Sequence, residues 1–295
     1  NQVYDVVRKS DHHGMGALDM QAPKPRPQKR ASRLLSVTRS ERITPNMIRV
    51  TMHAPELSDI PASCAGGHFK LFLPEPGQSR ASFAEQLVNG PKPTTRTYTV
   101  RHARPEAGEI DVDFVAHGDE GPASAWAEAA DENSFCGFAG PGAPKLTEFH
   151  ADWYLIAADM SALPVAAAGL EVLPKDARGH AIFEVTSLED RQPIAAPPGI
   201  IQHWFIHPDP HTPSAAQIEF VRDMNWEPGR VQTLIAGETG VVRNLRMLAR
   251  GDHNVDRKDC YASGYWRIGL REDEHQKVKR EEAESDERTL QALAL

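Results

Sequence analysis

From Arg33 onward the chain alternates apolar and polar positions with a period of two. The stretch RLLSVTRSERITPNMIRVTMHAPEL (33–57) does so on both sides of Thr44-Pro45-Asn46, the pattern of two antiparallel strands joined by a turn. GHFKLFLP (67–74), TTRTYTVR (94–101) and EIDVDFVAH (109–117) repeat this short-strand pattern. Residues 31–150 are therefore predicted to form an N-terminal antiparallel β-barrel. At Trp153 the rhythm changes. WYLIAA, HAIFEVTS, IQHWFI and VQTLIA are short apolar runs separated by helical stretches such as SALPVAAAGLEVLP and TGVVRNLRMLAR. Strands that alternate with helices predict a C-terminal α/β parallel-sheet domain over 151–270.

The flanks read differently. Residues 1–30 contain APKPRPQKR, whose spaced prolines exclude a helix and whose charges oppose burial, so a flexible arm is predicted. Residues 271–295 are dense in charge and in good helix formers, with a late Leu/Ala stripe, and predict a peripheral helical tail.

A chain of 295 residues, 40% of them hydrophobic, can fill two cores. Its formal charge is −8, from 33 basic and 41 acidic residues, which argues against a general nucleic-acid or anionic-membrane surface. Small molecules or proteins are the expected partners. Three widely spaced cysteines, Cys64, Cys136 and Cys260, suggest neither a disulfide framework nor a zinc knuckle. No apolar run of about 18 residues and no secretory-type leader is present, so a soluble, cytoplasmic protein without membrane insertion is expected. His203, His207 and His211 are spaced by four, but Pro208 and Pro210 exclude the helix that would align them on a metal. Neither GxGxxG nor GxxxxGK[ST] occurs.

Two segments carry candidate chemistry. In RTYTVR, an extended backbone puts Arg96, Tyr98 and Val100 on one face and Thr97, Thr99 and Arg101 on the other. Each face offers a cation or an aromatic ring beside a hydroxyl, which suits a flat, phosphorylated ligand; a solvated edge strand is the competing reading. In HGDEGPASAWA, Gly121 followed by Pro122 and small residues makes a helix start whose free N–H groups can face an anion, or an ordinary turn and cap.

Seven segments in order, GGHFKLFLP, RTYTVR, IDVDFVAHGDEGPASAW, GFAGPG, WYLIAADMSALPV, AGETGVVRNLR and GYWRIG, resemble the siderophore-interacting protein family. These are FAD-dependent ferric-siderophore reductases of the ferredoxin-NADP reductase-like superfamily, and the resemblance spans Arg33 to Gly269. It implies that Arg96, Tyr98 and Thr99 hold FAD, assisted by Arg101, and that Tyr98 packs on the isoalloxazine. It implies pyrophosphate and adenosine contacts from His117, Gly121, Ala123, Ser124 and Trp126, with Asp113 and Val115 on the strand leading into them. Asp159, Ser161 and Ala162 would close the flavin site. Gly237 and Glu238 would face the electron donor, although Glu238 also reads as a first-turn acid favoured by the helix dipole. Trp266 would cover a flavin edge or close the core. For the ferric siderophore the resemblance points to Lys70, with Lys145, Arg246 and Arg267 as further basic candidates. The chain departs from the family pattern at Ala158 and Met160, where Gly and Glu are usual, and at Gly142, where many relatives have Arg.

The implied reaction is FAD-mediated one-electron reduction of an Fe(III)-siderophore, releasing Fe(II), with NADH, NADPH or ferredoxin as donor and no general base. Fe(II) binds hard oxygen ligands much more weakly than Fe(III), so reduction frees the metal. A general flavin reductase, or a flavin-bearing siderophore-binding protein without turnover, are the alternative readings.

Overall fold

Two sheets carry the two rhythms. The structure is a computed structural model that describes residues 32–116, 121–270, 274–275 and 285–291. The predicted N-terminal arm and most of the predicted tail helix lie outside the described residues.

The first sheet comprises β1 (Arg33–Thr44), β2 (Met47–His53), β3 (His68–Leu73), β4 (Thr94–Thr99), β5 (His102–Arg104), β6 (Glu109–Val115) and β7 (Phe135–Ala139). Their spatial order is β4-β3-β7-β1-β2-β6-β5, antiparallel throughout. Helix α1 (Arg80–Asn89) links β3 to β4, and α2 (Pro122–Glu128) links β6 to β7. Alternate residues of β6, Ile110, Val112 and Phe114, point inward onto Leu35, Val50, Phe69, Leu71 and Phe138. The sheet rolls until Tyr98 of β4 meets Phe114 of β6, with ring centroids 4.4 Å apart. No ladder joins edge strands β4 and β5, so the expected barrel is an open one. The chain passes between these strands through Val100 and Arg101, whose N–H groups donate to the carbonyls of Gly67 and Asp111.

The second sheet is parallel: β8 (Trp153–Asp159), β9 (Arg178–Val185), β10 (Gly199–Ile206), β11 (Val231–Glu238) and β12 (Cys260–Trp266), in the order β10-β9-β8-β11-β12. Period-two alternation divides it between two layers. Ile156 and Ala158 face α3 (Leu163–Glu171), while Leu155 and Ala157 face α4 (Ala216–Asp223) and α5 (Thr239–Met247). Helix α3 is apolar all round and buried from Leu163 to Leu170, as a helix enclosed on every side must be. Met47 of the first sheet shares its core.

Asp190 fixes one sheet to the other. Its buried carboxylate accepts hydrogen bonds from Thr44 Oγ1, from the backbone and side-chain nitrogens of Asn46, and from the hydroxyls of Thr186 and Ser187. Burial alone would push that carboxyl up, but these hydrogen bonds, led by Asn46, hold it below its usual value.

In the described part of the tail, residues 285–291 are helical and lie along α5. Asp286 pairs with Arg243 and Arg246, and Glu287 with Arg250 and Arg257. All three cysteines are free thiols. Among the described residues no helix is long and apolar enough to cross a membrane.

Candidate functional site

A cleft of about 1040 Å³ opens between the sheets. One wall comes from β3, β4, β6 and α2, and the other from the carboxyl ends of β8, β9, β11 and β12. Open α/β sheets bind ligands just there, where the strand order reverses, here between β8 and β11.

On the first wall the polarity of β4 follows from its place. As an edge strand it pairs with β3 alone, leaving its other side to the cleft. Arg96, Tyr98 and Thr99 line the cavity, and Tyr98 is half-buried against Phe114. Asp113 lines the same wall, gripped by a two-point ion pair from Arg49 at 2.7 and 2.8 Å, and Val115 follows it. Gly121 caps α2 with extended backbone and Pro122 opens its first turn. Ala123 and Ser124 present the helix start to the cleft, and Ser124 Oγ donates to the Val115 carbonyl at 3.3 Å. Trp126 packs on Phe114, 5.7 Å between centroids, rather than lining the cavity. His117 lies outside the described residues.

Asp159 organises the second wall. It ends β8 half-buried in the lining of the cleft, and its carboxylate accepts from Ser161 N (2.9 Å) and Oγ (2.6 Å), Glu238 N (2.7 Å) and Trp266 Nε1 (2.8 Å). Burial pushes this carboxyl up, and the four donors work against that. Three strand ends thus meet on one side chain. Gly237 does not line the cleft but makes room for this arrangement: at φ +139° a Cβ there would come 2.5 Å from Asp159 Oδ2. Glu238 and Trp266 do line it. Glu238 is the N-cap of α5, accepting from Val241 N at 3.0 Å, so its first-turn reading describes its backbone role. Ser161 lines the cleft, whereas Ala162 is buried at the start of α3.

The basic candidates divide. Lys70 and Arg267 line the cleft, and the exposed Lys70 Nζ donates to Thr97 Oγ1 at 2.6 Å. Three others are held elsewhere. Arg101 is nearly buried in a two-point pair with Glu171 of α3, at 2.9 and 2.6 Å, so it ties the first sheet to that helix. Arg246 turns to Asp286 of the tail. Lys145 lies 5.9 Å over the Tyr261 ring, where burial lowers its ammonium below the usual value.

Residues 36–145 of the sequence match the siderophore-interacting FAD-binding domain, and residues 151–269 match the siderophore-interacting protein family. The chain is 33% identical over 252 residues to the ferric vibriobactin reductase ViuB of Vibrio cholerae, covering 82% of this chain and 91% of that one. The chain belongs to the siderophore-interacting protein family. Its fold is close to that of the siderophore-interacting protein SipS from Aeromonas hydrophila, with a TM-score of 0.76 at 34% identity, covering 86% of this chain and 99% of that one. A ferredoxin-NADP+ reductase from Plasmodium falciparum, 12% identical, shares the architecture at a TM-score of 0.54 over 79% of this chain and 95% of its own.

As in other siderophore-interacting proteins, the first domain is FAD-binding. The residues present fit that group. Tyr98 offers an aromatic ring, Arg96 a cation and Thr99 a hydroxyl on one strand, and no side chain larger than serine's stands on Gly121, Ala123 or Ser124 at the tip of α2. The cleft volume is at the upper end of the range for small-molecule sites, which suits a dinucleotide.

Several cleft residues escaped the sequence reading. His68, two places before Lys70 on the same face of β3, lines the cavity, and so do Tyr265, Glu184, Thr186, His207 and Ser214. The period of β3 carried a signal for His68. The others come together only through the parallel sheet.

Proposed function

We propose that this protein is a ferric-siderophore reductase, using bound FAD to pass electrons from NADH, NADPH or a ferredoxin-type donor to an Fe(III) chelate. The observation that carries the reading is the cleft itself: a polar edge strand and a small-residue helix start face three parallel strand ends joined through Asp159. FAD held there would supply the redox coupling between a nicotinamide or ferredoxin-type donor and a one-electron acceptor such as ferric iron.

This chain's own residues bind, orient and exclude water. Arg96, Thr99 and the start of α2 hold the cofactor, Tyr98 packs on its flat ring system, and Asp159 keeps Trp266 and the Glu238 backbone in place at the cleft floor. Lys70, exposed at the rim, attracts an anionic chelate, and Arg267 adds a second cation. No residue is required as a nucleophile or general base. Three free thiols fit a reducing compartment and support a cytoplasmic setting for the reaction.

The test is anaerobic. Purified holoprotein reduced with dithionite is mixed with a ferric siderophore and a ferrous-specific chromophore. Return of the oxidised flavin spectrum together with ferrous colour is the expected result. Unchanged reduced flavin beside a tightly bound chelate would instead describe a binding protein, and faster reduction of free flavin than of the chelate a general flavin reductase.

A further inference from the structure

Glu184, the penultimate residue of β9, stands directly beside Asp159 at the end of β8, as its register partner in the parallel ladder. Its carboxylate lines the cleft. Oε2 accepts the hydroxyl of Ser214, and Oε1 takes no hydrogen bond from any described residue. Around it the lining includes Thr186, Ser214 and the imidazoles of His207 and His211. His207 Nε2 is already engaged with the Thr212 carbonyl at 2.9 Å. No described Lys or Arg of β9, β10 or α4 lines this stretch; Lys70, Arg96 and Arg267 belong to β3, β4 and the end of β12.

In dinucleotide-binding open sheets of the GxGxxG type, a strand-end carboxylate accepts a hydrogen bond from the ribose 2′-hydroxyl, whereas a 2′-phosphate is accommodated by arginine; Glu184 takes the same place in a sheet without that motif. We propose that Glu184 makes the donor site selective for NADH over NADPH. The inference deepens the donor part of the function proposed above and rests on it. A free 2′-hydroxyl has a proton to give to Oε1. A 2′-phosphate would be set against Glu184, with Asp159 one strand away and no described lysine or arginine of β9, β10 or α4 beside it to offset the repulsion.

The test is direct binding, without turnover. Calorimetric titration of the FAD-loaded protein with NAD+ and with NADP+ is expected to show NAD+ binding tighter by at least about tenfold. In Glu184→Gln the ratio is expected to shrink by about fivefold or more, chiefly through tighter NADP+ binding, since the amide keeps an acceptor for Ser214 and loses the charge. Ser214→Ala, which keeps the charge, is expected to retain the preference. Equal or tighter NADP+ binding by the unaltered protein, an unchanged ratio in a folded Glu184→Gln protein, or binding of neither nucleotide overturns the inference. The reductase reading is judged separately by the dithionite experiment, which contains no nucleotide.

Discussion

His68 Nε2 lies 2.6 Å from the hydroxyl of Tyr265, a hydrogen bond that crosses from the first sheet to the last strand of the second. The two rings meet edge to face with centroids 5.2 Å apart. Burial pushes the Tyr265 hydroxyl well above the usual tyrosine range. Tyr265→Phe removes the bond and keeps the ring. It is expected to lower stability by about 1 kcal/mol, read from urea unfolding of the FAD-free protein.

Tyr98 bears on cofactor retention. Tyr98→Ala is expected to weaken FAD binding by about tenfold or more, because base-aromatic stacking contributes about 1–3 kcal/mol. Flavin-to-protein ratio after gel filtration is the measurement. A fully yellow Tyr98→Ala protein would remove the ring from the cofactor site.

Arg101 supplies the opposite control. Its place on Glu171 predicts that Arg101→Met costs about 3 kcal/mol of stability, the low end of the loss expected when one partner of a buried pair is removed, since Glu171 is partly exposed. The FAD dissociation constant of the folded variant is expected to stay near that of the parent. A large loss of FAD affinity at unchanged melting temperature would return Arg101 to the cofactor site.

For the chelate, Lys70→Ala is expected to raise the KM for an anionic ferric siderophore roughly three- to tenfold, with flavin content unchanged and an effect that fades in high salt. Steady-state kinetics at two ionic strengths decide this. An unaltered KM at low salt takes Lys70 out of substrate docking.

Acid stability is expected to depend on Asp111. Burial pushes its carboxyl up, but hydrogen bonds from Arg104, His102 and Thr51 outweigh that and hold it well below the usual carboxylate range. A lowered folded-state value means stability present above the unfolded value of about 3.9 and lost as pH falls through and below it. Asp111→Asn is expected to be less stable at pH 7 and to show a shallower decline between about pH 5 and pH 2. Melting curves across that range test both parts, and parallel declines for the two proteins would contradict the assignment.

The strands of both sheets were legible where apolar and polar residues alternate along the sequence, as in β1, β2 and β6, or where an apolar run is buried on both faces, as in β8. Strand β12, CYASGYW, sits at a sheet edge and is mostly half-buried, so no period marks it. Helix α1 buries Phe83 alone and has little amphipathic signal. The start of α2 could be read because Gly121-Pro122 is a local signal. The partners of Asp190, Arg101 and Arg246 could not, since Asn46 is 144 residues from Asp190, Glu171 is 70 from Arg101 and Asp286 is 40 from Arg246. Periodicity shows which side of an element is dry, not which distant charge will meet it.

The pairing of Asp286 and Glu287 with four arginines has a practical consequence for handling the protein. A chain cut ahead of residue 285 would keep Arg243, Arg246, Arg250 and Arg257 while losing their counter-charges. An acidic molecule would then carry a bare cationic strip, prone to cling to nucleic acid and to cation-exchange media.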